Sequence, residues 1–177
     1  MDNIYFINNQ MITLHKSVPK GLSLALYKGT RDGLPGLYNR LGRFIDRGPY
    51  SHTELVFSNE LSGSSSYLDG GVRIKQINYS NVGNWDFLPI PDPTGVLEST
   101  AWTWYITNKG SKYDILGNLR FATNLARDSG DKWFCSESNL AALGFPESFR
   151  YGPSGAASLL EHVYNSKIIV VEDTYPH

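Results

Sequence analysis

Tyr50-Ser51-His52-Thr53-Glu54-Leu55-Val56-Phe57 decides how this chain is read. The stretch follows the breaker Gly48-Pro49, opens on polar residues and ends apolar. Side chains alternate along a strand, so His52 and Glu54 share one face while Thr53 and Leu55 point the other way. A polar face at the mouth of a strand, beside an apolar continuation, suits a site at a sheet edge.

Outward from that strand the pattern is mixed. Upstream, Leu22 to Tyr27 reads as a strand. Leu34, Leu37, Leu41, Phe44 and Ile45 fall at helical spacing, and Gly48-Pro49 ends that helix. Downstream, Ser62-Gly63-Ser64-Ser65-Ser66 reads as a hairpin turn running into a strand from Ser66 to Leu68. Val72 to Ile77 alternates apolar residues with Arg73 and Lys75, as an exposed strand does. Trp85 to Leu88 is a further short strand.

Asp92-Pro93-Thr94-Gly95 reads as a turn that starts a helix, with Thr94 as N-cap and Leu97, Ala101, Trp104 and Tyr105 on one face. Further helices are expected over Asp114 to Leu125 and from Cys135 to Leu143, the latter stopped by Gly144. Ser154 is placed to cap a helix bearing Leu159, Leu160 and Val163, and Lys167 to Val171 reads as a last strand. Helices around a small antiparallel sheet make an α+β fold, expected as one domain over 1–177.

Composition narrows the function. The chain has 177 residues, 41% of them hydrophobic, which is a globular composition. Sixteen Lys and Arg against 17 Asp and Glu leave a net charge of −1, which disfavours electrostatic capture of nucleic acid. One cysteine excludes an intrachain disulfide and a multi-cysteine metal cage. No window approaches the roughly 18 apolar residues of a membrane span. The N-terminus lacks the features of a signal peptide, so a location in the cytoplasm of the producing cell is expected.

The single thiol lies in Trp133-Phe134-Cys135-Ser136-Glu137-Ser138 and opens a helix. A helix N-terminus favours thiolate over thiol and offers unbonded N–H groups to an oxyanion, here starting with Ser136. The bland alternative is a buried packing cysteine. Among four histidines, His177 is terminal, His15 lies in a polar opening stretch and His162 sits on a helix beside Glu161. His52 is the candidate base. Three residues compete to orient its imidazole: Glu54 on the same face, Ser66 on the following strand, and Asp69. Residues i and i+2 on a strand lie roughly 7 Å apart, so Glu54 and His52 meet only if both side chains lean together.

The order of these residues, histidine strand first and cysteine helix later, resembles the circularly permuted papain-like branch of the NlpC-type cysteine peptidases, and more narrowly the YiiX/YebB-like hydrolases, including small proteins of tailed bacteriophages. The resemblance runs from Leu24 to Leu160. It is carried by Arg47-Gly48-Pro49-Tyr50-Ser51-His52, Asp69-Gly70-Gly71-Val72-Arg73, Lys112-Tyr113-Asp114-Ile115-Leu116-Gly117, Lys132-Trp133-Phe134-Cys135-Ser136-Glu137 and Tyr151-Gly152-Pro153-Ser154.

The resemblance implies a permuted papain-like fold, Cys135 as nucleophile, His52 as base and a polar third residue near Ser64 to Ser66. It also implies that Tyr113 flanks the cleft and helps bind oxyanion or substrate. The implied activity is hydrolysis of an amide or peptide bond, with a peptidoglycan-like peptide as substrate and no metal or organic cofactor. Two other readings stand beside it: an acyltransferase or lipase-like relative, and a catalytically silent module that binds other virion proteins.

Overall fold

The computed structural model describes residues 3–7, 10–14, 19–30, 46, 48–114 and 132–171. Strands β1 (Asn3–Ile7) and β2 (Gln10–Leu14) form an antiparallel pair. The remaining strands are β3 (Ser23–Tyr27), β4 (His52–Val56), β5 (Leu61–Ser66), β6 (Gly71–Gln76), β7 (Trp85–Pro89), β8 (Lys112–Tyr113) and β9 (Lys132–Trp133). They make a seven-stranded sheet in the order β7-β3-β4-β5-β6-β8-β9. Every neighbouring pair is antiparallel except β8 and β9. Among the described residues there are three α-helices: α1 (Val96–Asn108), α2 (Cys135–Ala142) and α3 (Pro153–Tyr164). The fold is α+β.

The helices share one face of the sheet. Leu22, Leu24, Leu26, Leu55 and Phe57 pack there against Ala101 and Tyr105 of α1, Leu140 of α2, and Ala156 and Leu160 of α3. The opposite face carries a smaller apolar cluster around Val56, Tyr79, Trp85 and Phe87. These three helices therefore lie on one side of the sheet.

The serine-rich patch is not a turn. Residues 61–66 form β5, an inner strand, and the chain reverses earlier, at 58–60, where Glu60 has φ 65°. Conversely, the strand expected at Ser66 to Leu68 is mostly a single helical turn, Tyr67–Asp69. Small residues serve β5 because both its faces are crowded. A Cβ on Gly63 would lie 2.6 Å from the Tyr105 ring. The hydroxyls of Ser62, Ser64 and Ser65 all find partners: Tyr79 Oη at 2.9 Å, the Thr53 carbonyl at 2.7 Å and the Trp133 carbonyl at 2.7 Å.

The helix starts differ from expectation. Gly95, at φ 71°, and not Thr94, caps α1, and the Asp92 carboxylate accepts the Glu98 N–H at 2.8 Å. At α3 the cap is Gly152, with Pro153 first in the helix, a position where its missing N–H costs nothing. Ser154 lies inside the first turn and donates its N–H to Asp46 Oδ2 at 2.6 Å, so a carboxylate 108 residues away acts as the cap. Between 167 and 171 the sheet gains only one bridge, Ile169 to Phe87. The segment is instead held by Asp86, which accepts the Val171 N–H at 2.9 Å, Lys28 Nζ at 2.6 Å and Tyr50 Oη at 2.9 Å. The expected helix at 34–45, nearly all of that at 114–125, and both His15 and His177 lie outside the described residues.

The sheet opens at one place. β4 and β5 pair only at Leu55 with Gly63 and at Val56 with Ser62. Beyond that point β4 continues against β3 back to His52, and β5 continues against β6 to Ser66. The first turns of α2 fill the split. Asn139 Nδ2 donates to Thr53 Oγ1 at 2.8 Å, and Ser138 Oγ accepts the Ser65 N–H at 3.0 Å.

Candidate active site

The split explains the otherwise improbable sequence of α2. Ser136, Glu137, Ser138 and Asn139 are all buried, where helix surfaces are usually apolar. Strand groups that lost their ladder partners must bond to something, and these side chains supply it. Ser138 Oγ also donates back to the Cys135 carbonyl at 2.8 Å, and Asn139 Oδ1 accepts Tyr105 Oη at 2.5 Å. Phe134, the N-cap, has no side-chain acceptor for the first-turn amides, whereas Glu137 Oε2 takes its N–H at 3.2 Å. At the other end Gly144 (φ 83°) stops the helix as expected. Its N–H bonds to Ala141 and that of Phe145 to Leu140, a Schellman closure.

Cys135 is thereby set at the mouth of the split. In a strand the N–H and C=O of one residue point to the same side, and Thr53 has both directed away from β3. Its carbonyl takes Ser64 Oγ, and its N–H, like that of Ser136, lies near enough to the Cys135 sulfur to favour the thiolate. The Ser136 hydroxyl is turned away, to the Tyr151 carbonyl at 2.8 Å.

His52, from β4, lies beside the same sulfur, close enough for the two groups to shift each other's titration. Its Nε2 donates to Glu54 Oε1 at 2.8 Å, which leaves Nδ1 for the sulfur. The two side chains do lean together. Glu54 is held in turn by Arg73 of β6, whose two terminal nitrogens grip its two oxygens at 2.6 and 2.5 Å. Arg73 Nε donates to Asp69 Oδ2 at 2.9 Å, and Lys75 Nζ to Asp69 Oδ1 at 2.6 Å. Charges of alternating sign thus run from a buried sulfur to an exposed ammonium.

Burial sets the direction of each titration only until the neighbours are counted. It pushes the Cys135 thiol up, but His52 and the two N–H donors outweigh it, and the thiol is held below its ordinary range. Burial pushes His52 down, but the Cys135 sulfur and then Glu54 outweigh it and raise the imidazole to about 9. Glu54 is pushed up by burial and pulled to about 2, chiefly by Arg73. Each of these shifts is in the direction of a thiolate–imidazolium pair backed by a carboxylate. Cys135 is only 1% exposed, yet what surrounds its sulfur is polar, and the His52 side chain keeps 14% exposure.

The other sequence candidates fall elsewhere. Ser66 is buried at the end of β5, opposite Gly71, and none of the hydrogen bonds among the described residues joins it to His52. Asp69 sits on the far side of Arg73, without direct contact to His52. Tyr113 pairs in register with Trp133, two residues before the cysteine, and its ring meets that of Tyr67 at 6.0 Å, edge to face. His162 is exposed on α3. The residue that sequence reasoning missed is Arg73. Alternation predicts it exposed, but its side chain is only 11% so, because the face it occupies is that of Glu54.

Among the described residues no helix is long and apolar enough to cross a membrane, and no group of three or more His, Cys, Asp or Glu side chains is placed to hold a metal ion. A scan against protein-family models finds no match, and a search of curated proteins finds none.

Proposed function

We propose that the chain is a cysteine hydrolase of the permuted papain-like, NlpC-type class, cleaving amide bonds of a peptidoglycan-like peptide. The observation that carries this reading is the placement of a His52 imidazole, one nitrogen of which is fixed by Glu54, beside Cys135 at a helix start. Sulfur, base and orienting carboxylate in that order are what nucleophilic catalysis by a thiol needs. The sequence resemblance supplies the substrate class.

The chemistry then runs as an acyl transfer. The Cys135 thiolate attacks the amide carbon, and the carbonyl electron pair moves onto oxygen. N–H groups at the start of α2, with that of Thr53, stabilise the oxyanion, each worth about 3–4 kcal/mol in such sites. As the pair returns, the C–N bond breaks and the His52 imidazolium gives its proton to the departing amine. Neutral His52 next takes a proton from water, whose oxygen attacks the thioester. The acid leaves and the thiolate is restored.

The test incubates the protein with purified peptidoglycan, with phospholipid vesicles in parallel, and reads products by mass spectrometry. New amine and carboxyl ends from peptidoglycan, lost in Cys135→Ser and His52→Ala, are the expected result. Acyl transfer from the lipid would assign the alternative chemistry. No product from either, together with equal labelling of native protein and His52→Ala by a thiol-reactive probe, would leave a binding module.

A further inference from the structure

We infer that Arg73 is a positioning residue for this site: its guanidinium, laid across β5, fixes the Glu54 carboxylate on His52 Nε2. The inference rests on the hydrolase reading above.

Glu54 and Arg73 are not on neighbouring strands. β5 lies between β4 and β6, so the two backbones are at least roughly 10 Å apart, twice the strand spacing. Arg73 is opposite Ser64 in register. Its side chain must therefore cross β5 on the face occupied by Ser62 and Ser64. A serine leaves room for that crossing, and Ser64 Oγ is folded onto the Thr53 carbonyl. The serine run is thus the passage through which Arg73 reaches the site.

A carboxylate two residues from its histidine has several rotamers, and only one points at Nε2. A fork that takes both oxygens selects it, which a single ammonium does not do. Asp69 holds the guanidinium from outside through Nε. The charged or titratable groups around Glu54 are His52, Cys135, Arg73, Asp69 and Lys75, with Tyr79 and Tyr105, whose burial keeps their hydroxyls neutral.

The experiment measures alkylation of Cys135 by iodoacetamide in the full chain across pH, for wild type, His52→Ala, Arg73→Gln, Arg73→Lys, Glu54→Gln and the double variant Glu54→Gln/Arg73→Gln. Loss of a neighbouring cation lowers the acidities of Cys135 and Glu54 together. The acid limb of Arg73→Gln is expected about one pH unit higher, a roughly tenfold slower reaction on that limb. Arg73→Lys falls between the two. In the Glu54→Gln background, Arg73→Gln changes the rate by less than about threefold, because its effect passes through Glu54.

A limb for Arg73→Gln that superimposes on wild type, while His52→Ala still moves it, overturns the inference and leaves the hydrolase reading standing. An additive double variant overturns it too. A wild-type limb at an ordinary thiol position, unmoved by His52→Ala, removes both. If Arg73→Gln does not fold by circular dichroism, Arg73→Lys decides: a limb equal to wild type refutes the role of the fork.

Discussion

Gly63 lies beneath the ring of Tyr105. A Cβ there would stand 2.6 Å from Cε2 and 2.9 Å from Cγ, on a side chain with 0% exposure and no space to retreat into. Gly63→Ala is therefore expected to destabilise the fold by about 1–3 kcal/mol, as overpacked cores do. Urea denaturation of the two proteins measures it, and a midpoint unchanged within error would contradict the close approach.

Tyr105→Phe removes one oxygen and no packing. It leaves buried Asn139 Oδ1 without its 2.5 Å donor, and Asn139 in turn holds Thr53. The cost should be about 1–3 kcal/mol, the penalty of a buried unsatisfied acceptor. Because Thr53 carries an N–H that faces the sulfur, thiol alkylation should slow as well. Unaltered stability and reactivity together would remove this network from the account of the site.

The ionic pairs give the site a pH signature. Glu54, ordinarily 4.5, is lowered to about 2 in the fold, so its contribution to stability is complete above 4.5 and lost as pH falls toward 2. His52, ordinarily 6.5, is raised to about 9, so its contribution is complete below 6.5 and lost as pH rises toward 9. The stability gap between wild type and Glu54→Gln should therefore shrink below pH 4.5, and hydrolysis should fall above about 9 as the imidazolium loses the proton it gives the leaving amine. Melting temperatures across pH, and a pH–rate profile, check the two arms. A gap constant from pH 3 to 7 would contradict the first.

Asp46→Ala should cost about 1 kcal/mol, since it removes the acceptor for Ser154 at the start of α3. Gly152→Ala should cost more, because its Cβ would fall 2.1 Å from Asp46 Oδ1. Thermal denaturation ranks the two, and the reverse order would mean that the carboxylate moves aside freely.

Local pattern carried much of this architecture. The alternation at 52–56 places His52 and Glu54 on one face, and the breaker Gly144 ends the cysteine helix where expected. What local pattern missed is non-local. Ser62 to Ser66 has turn composition, and only the Tyr105 ring on one face and the Arg73 side chain on the other explain why a central strand is built from it. Thr94 is a good cap by type, but Asp92 reached the first-turn amide and left the cap position to Gly95. Arg73 alternates as a solvated residue would, and nothing in its neighbours along the chain reveals a carboxylate two strands away.

The wedge between β4 and β5 ties reactivity to completion of the fold. The cysteine, and the imidazole with the adjacent Thr53 amide, come from two segments more than 80 residues apart in sequence. The wedge helix is too polar to persist alone, and it supplies partners to the edges of the strands it separates. A partly denatured chain therefore carries an ordinary thiol, and the sulfur meets its imidazole only once the wedge has docked.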